Sequence, residues 1–440
     1  RLAIIDLSTE AGQPMTKHNM VISFNGEIYN YLEIRNFLEK KGYQFITKSD
    51  TEVILSSFDF WGMEAVRRFD GMFAISLFMQ NKLYLITDNF LEKPIYCFEN
   101  NDGVYFSSEP QILIDNMNIE KSSVNIPKFL SLGFFEDGFT GYRNLTGIQP
   151  ATIREYFSEK KNTETKYWEF PARSFSNGTK ISDKFVDEFV DLLLISIKRR
   201  LRSDVPMGVF LSSGLDSSII ATLIKKELKK DVIAYTVSFP DEYDESKLSK
   251  RISQFLKIDH NIINHKKSNK LEESQLLDLY SFPNDNTTAI SIKLMCEAIK
   301  KKIKVALSGI GGDEISMGYN KYFFIKKYKF FFNYFNKLSF LLSHFKSSIS
   351  TFKRLRKANY YFNGTKSWRL MAIKNGEVLE SFESFFQQVN FDLENYKTND
   401  FLLKVSRYDL LQTLPYSYLP SVDRGSMREG IEVRSPFLSK

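Results

Sequence analysis

Hydrophobic and polar positions alternate in two rhythms along this chain. In the first third, short apolar runs dominate. Met20–Phe24, Met72–Met79, Leu83–Thr87, Ile95–Phe98 and Val104–Ser107 read as strands joined by short polar turns. Two helices interrupt them. One runs from about Tyr31 to Lys41 and stops at Gly42; the other runs toward Trp61 with Ser49 or Asp50 as its cap. Many strands with few helices predict a layered α+β domain. From about Asp183 the rhythm changes. A helix to Leu201 is followed by an apolar run ending at Leu211, then by Ile220, Leu223, Ile224 and Leu228 at helical spacing. Strand Val232–Phe239, a helix near Ser246–Leu256 and strand Lys304–Leu307 come next. This alternation predicts an α/β domain with a parallel sheet covered on both faces, binding its ligands at the carboxyl ends of the strands. The domains are expected at 1–165 and 180–440, with the polar, irregular stretch 158–181 as linker.

Composition narrows the class. With 43% hydrophobic and 26% charged residues the chain is an ordinary globular protein, and no apolar stretch reaches the roughly 18–20 residues of a membrane span. The net charge of +7 is spread over a large surface, not gathered into the stripe that nucleic acid requires. Neither a membrane nor a nucleic acid is expected as partner. Two cysteines exclude a disulfide framework and fit the cytoplasm; Cys97 on a strand and Cys296 on a helix read as core thiols. The Phe-, Tyr- and Lys-rich block Tyr322–Trp368 reads as helices with an aromatic core stripe. The chain opens at Arg1 within an apparent strand and stops at Lys440 just after a motif, so it reads as part of a longer protein.

Two loops carry the candidate chemistry. Leu211-Ser212-Ser213-Gly214-Leu215-Asp216-Ser217 joins a buried strand to a helix through small residues, so backbone N–H groups and the positive helix end can approach a phosphate. Asp216 beside phosphate makes sense with a cation such as Mg2+ between them. Ser308-Gly309-Ile310-Gly311-Gly312-Asp313-Glu314 is a second glycine-rich strand end, and Asp313 is either a second metal carboxylate or a helix cap.

The first loop resembles the pyrophosphate loop of the ATP pyrophosphatases, usually S-G-G-x-D-S, with Ser213 in the place of the first Gly. Ser308–Glu314 resembles S-G-[ED]-G-[AG]-D-E of the asparagine synthetases, and Asp423–Leu438 keeps every fixed position of their D-R-x-S-M-x-x-x-x-E-x-R-x-P-F-L pattern. Arg1–Asp6, Phe24–Asn30 and Ser49–Glu52 resemble the class II glutamine amidotransferase domain of that family. The resemblance implies an Ntn-hydrolase-like αββα sandwich followed by an adenine nucleotide α-hydrolase-like domain. It also implies ATP and Mg2+ as cofactors and glutamine and aspartate as small-molecule substrates; a homodimer is compatible with it. ATP would lie on Leu211, Ser212, Ser213, Gly214, Asp216, Ser217, Val237, Ser308 and Gly309, with Asp216 and Asp313 on the metal. Glutamine would lie on Arg1, Asn25, Gly26, Glu27 and Asp50. Asp216, Asp313 and Arg424 are the catalytic candidates; Arg424 and Arg434 either meet substrate charge or form ion pairs with Asp423 or Glu432.

Three departures qualify this. The family's N-terminal cysteine nucleophile is not at Arg1, so the chain as written should not hydrolyse glutamine. Asn89 and Leu91 replace Arg and Gly of D-R-x-G-x-[KR]-P-[LI]-Y, which implies a reshaped turn. Ile310 takes the acidic position tied to forming or using the aspartyl-adenylate. A relative acting on another carboxylate, such as a sugar acid, a non-catalytic relative and a tRNA-modifying pyrophosphatase are the rival expectations.

Overall fold

A computed structural model describes residues 4–126, 129, 132–157, 162–171, 181–238, 244–264, 273–323, 326 and 401–440. Arg1 and nearly all of the Tyr322–Trp368 block lie outside the described residues.

The strands of the first domain are β1 (Met15–Lys17), β2 (Met20–Ile28), β3 (Gly71–Met79), β4 (Lys82–Thr87), β5 (Tyr96–Asn100), β6 (Gly103–Ser107), β7 (Leu145–Gly147), β8 (Thr152–Tyr156) and β9 (Asn162–Lys166). They form a six-stranded sheet, β1-β2-β3-β4-β8-β9, and a three-stranded sheet, β6-β5-β7. Every pairing within them is antiparallel. Along β2, Met20, Ile22 and Phe24 are buried while Val21 and Ser23 face out, the period-2 pattern of a strand with one wet face. Helix Asp50–Trp61 starts at Ser49, whose hydroxyl accepts the Glu52 N–H, so Ser49 is the cap and Asp50 is left for other work.

The second domain holds β10 (Met207–Phe210), β11 (Ile233–Ser238), β12 (His260–Asn264), β13 (Val305–Leu307) and β14 (Glu432–Arg434), in the order β12-β11-β10-β13-β14. All four pairings are parallel, as the alternation of strands and helices predicts. Val305, Ala306 and Leu307 are all buried, which is why β13 reads as an unbroken apolar run.

One expectation needs correction. Residues 162–166 are not linker: they form β9 and pair with β8, because the Thr-rich run Asn162–Lys166 completes the sheet edge. Leu91 holds the left-handed conformation, φ 65°, in the place of the expected glycine, although it is buried. The Asp88 carboxylate enforces this by accepting the N–H groups of Phe73, Phe90, Glu92 and Lys93 at 2.9–3.1 Å.

Charge pairs join the two domains, the Lys93 one buried. Lys93 pairs with Asp423 at 2.7 Å, Arg199 with Asp70 at 2.9 Å and Arg202 with Glu33 at 2.8 Å. Val305 packs into the core of the first domain, so the apolar interior is continuous across the joint. Removing one partner of a buried pair strands the other charge. Asp423→Ala should therefore lower the unfolding free energy by about 3 kcal/mol. Urea titration followed by tryptophan fluorescence should show the loss, and Lys93→Met/Asp423→Leu should recover most of it. A single variant as stable as wild type would show the pair to be inert.

Candidate active site

β10 and β13 lie side by side and parallel, with Val209 opposite Leu307. Their carboxyl ends therefore release the two glycine-rich loops at the same edge of the sheet. There the loops line one open cleft of about 450 Å³. Leu211, Ser212, Gly214, Asp216, Ser217, Val237, Ser308, Gly309, Ile310 and Asp313 all face it. Ser213 sits in the same turn, its N–H donated to Glu245 at 3.3 Å. The turn is tied by hydroxyls: Ser217 Oγ accepts the Ser212 N–H at 3.0 Å, and Ser218 Oγ donates to the Gly214 carbonyl at 2.7 Å.

Asp216 and Asp313 meet across the strand tips. The Asp216 carboxylate faces the Asp313 backbone N–H and rests on Gly312, where a Cβ would stand only 2.5 Å from Oδ2. Gly312 is thus needed for the approach. Burial first, then the neighbouring Asp313 charge, pushes the Asp216 carboxyl up to about 6; burial also raises Asp313. Among the described residues neither carboxylate is paired with a lysine or arginine. Two oxygen-donor groups of this kind suit a hard divalent cation that completes its shell with phosphate oxygens and water.

Asn25, Gly26, Glu27 and Asp50 also converge, in a second pocket of about 510 Å³ in the first domain. Gly26 has φ 135° and lies against β3, where a Cβ would be 2.0 Å from the Met72 carbonyl oxygen. Asp50 accepts the Ile28 N–H at 3.0 Å; burial, then the Glu432 charge, pushes it up to about 6. Met427 and Glu432 of the second domain reach this pocket, as do Gln13, Thr51, Ser107 and Ser108. Sequence reasoning missed these residues, because only the tertiary pairing of the domains brings them there. It also missed Glu245, Ser291, Ile292 and Met295 on the wall of the strand-tip cleft. The last three lie one helical turn or less apart on Thr288–Ile299, a signal visible in hindsight.

The arginines do not line the strand-tip cleft. Arg424 Nη1 pairs with Glu109 at 2.7 Å and Nη2 donates to the Ser108 carbonyl at 2.9 Å, so Arg424 fastens the two domains. Arg434 pairs with Glu432 at 2.8 Å, lies 3.7 Å from Glu27 and donates to the carbonyls of Arg200 and Arg202. Cys97 and Cys296 are buried, and burial pushes their thiols up to about 11 and about 12, as befits inert core groups.

The two-loop cleft and the separate first-domain pocket agree with two sequence families. Asparagine synthase matches residues 188–440, and Glutamine amidotransferase domain matches residues 1–168. The chain belongs to the asparagine synthase family. Asparagine synthetase [glutamine-hydrolyzing] 1 of Bacillus subtilis strain 168 is 30% identical over 100% of the chain and 72% of its own length. Asparagine synthetases [glutamine-hydrolyzing] 3 and 2 of the same organism are 28% and 27% identical. They align with 72% and 73% of the chain, which spans 55% and 46% of their lengths. Membership places the chain among carbon–nitrogen ligases and supports ATP-dependent amidation with glutamine. Among the described residues no helix is long and apolar enough to cross a membrane.

The raised Asp216 value has a measurable sign. Its folded pKa lies above the roughly 3.9 of an unfolded Asp, so this group favours the folded state more as pH falls through 6. Asp216→Asn should raise the thermal midpoint at pH 8, where the wild-type carboxylates repel. The gain should fade below pH 6, where wild-type Asp216 takes up its own proton. A gain independent of pH in differential scanning calorimetry would show that the repulsion is not the cause.

Proposed function

We propose that the chain forms an amide from aspartate, using ATP and the nitrogen of glutamine or ammonia, and yields asparagine, AMP and pyrophosphate through an acyl-adenylate. The convergence of Asp216 and Asp313 on one cleft carries the reading. Backbone N–H groups of Ser212–Ser217 and Ser308–Gly309 would receive the phosphates, and Val237 would offer backbone groups to the adenine. Asp216 and Asp313 would hold a Mg2+ whose charge offsets that of the departing pyrophosphate.

In this scheme an oxygen of the substrate carboxylate attacks the α-phosphorus and the bond to pyrophosphate breaks. Ammonia then attacks the acyl carbon, and AMP leaves with its bonding electrons. Adenylation is the sensible activation because AMP is a far better leaving group than hydroxide. Ile310 faces the cleft and packs against the apolar cluster that contains Leu414 and Leu438, so it shapes the wall and supplies no proton acceptor. In the first domain, Asn25 and the Gly26 N–H would stabilise oxyanion charge, while Glu27 and Asp50 would take the ammonium of glutamine. Arg1, the expected partner of its carboxylate, lies outside the described residues.

Exchange of labelled pyrophosphate into ATP, with aspartate and Mg2+ present, tests the first step without needing the glutamine half. Wild type should exchange, and Asp216→Asn or Asp313→Asn should each lower the rate by about 100-fold, the usual loss of a group that stabilises developing charge. Exchange at the wild-type rate in both variants would overturn the reading.

A further inference from the structure

The strand-tip loop begins with the peptide unit between Leu211 and Ser212, and both polar ends of that unit are held. Its N–H donates to Ser217 Oγ at 3.0 Å, and its C=O accepts the hydroxyl of Thr236 on β11. A threonine hydroxyl has one proton. Because Thr236 gives it to Leu211, the 2.8 Å contact between Thr236 Oγ1 and His260 Nε2 must be a bond that the imidazole donates. His260 opens β12, which pairs with β11 in parallel and sets Ala234 opposite His260. The ring is held from its other side by Ser253 of helix Ser246–Leu256, 3.0 Å from Nδ1.

We infer that His260 is a positioning residue for the phosphate loop: its Nε2–H fixes the rotation of the Thr236 hydroxyl, which fixes the first peptide plane of the loop. Without that donor, the Thr236 hydroxyl can swing away from Leu211, and the plane carrying the Ser212 N–H loses one of its two anchors. The relay crosses three adjacent strands, β12 to β11 to β10, and ends where the cleft begins. It also survives protonation of the ring. Ser253 Oγ has one proton for two acceptors, His260 Nδ1 at 3.0 Å and the Lys250 carbonyl at 2.9 Å; a neutral ring competes for it, and a protonated ring donates at Nδ1 and leaves it to Lys250. Burial, then the Lys250 charge, lowers the pKa of the ring, so the neutral Nε2–H form is the working one.

The inference rests on the proposed ATP site only for its consequence, and two readouts separate the two. In nucleotide-free protein, hydrogen–deuterium exchange of the peptide spanning 209–218 should quicken several-fold in His260→Leu, His260→Asn and Thr236→Val. His260→Gln, whose amide nitrogen can reach the Nε2 position, should exchange as wild type does; Asn carries its nitrogen nearer the Nδ1 position and should not rescue. ATP binding by calorimetry with Mg2+ should weaken about tenfold in the same three variants and recover with Gln, the size of effect that one net hydrogen bond gives. Unchanged exchange in His260→Leu, or a Gln variant no better than Leu, would overturn the relay. A wild-type protein that binds no ATP would instead remove the proposed function, while the exchange measurement still decides the role of His260.

Discussion

The structure turns on a forced encounter of two acids. Parallel pairing of β10 with β13 sets neighbouring strand ends about 4.8 Å apart, so the loops that follow cannot avoid each other. Each brings one aspartate, and Gly312 removes the side chain that would keep them apart. The buried sheet beneath, with Val209 and Leu307 fully inaccessible, supplies the rigidity that the repulsion opposes. Such an arrangement costs stability. Sites that bind ions often look like this, with local repulsion balanced by packing elsewhere.

The same sheet links the two halves. β14 lies beside β13, and the Arg434 carbonyl accepts the Ser308 N–H at 2.9 Å, at the first residue of the second loop. On the same three-residue strand, Glu432 reaches the pocket of the first domain and the Arg434 guanidinium lies 3.7 Å from Glu27. One short strand thus borders both sites, and the helix before it, Leu419–Met427, carries Asp423, Arg424 and Met427 onto the first domain.

Much of this was legible in the chain because local chemistry dictated it. The apolar runs ending at Leu211 and Leu307 announced strands, and the small residues after them announced turns, which line the cleft. Residues whose placement depends on distant partners were not legible. Arg424 reads equally well as a substrate arginine or a structural one, and only Glu109, 315 positions away, decides. β9 was hidden because an edge strand made of Asn162-Thr163-Glu164-Thr165-Lys166 is exposed throughout and carries no apolar signal. His260 was overlooked for a similar reason: its meaning lies in a threonine on the next strand. Ser49 and Asp50 could not be told apart as caps until the Asp50 side chain was seen to point elsewhere.

The loop around Asp88 has a wider consequence. Four amides converge on one carboxylate there, so the path of the backbone is dictated from its centre and not by the residues strung along it. A leucine can then occupy a left-handed position at a cost of about 1–2 kcal/mol, which the surrounding contacts absorb. The backbone path therefore does not depend on the residue at position 91, and Asp88 is the one whose loss should break it.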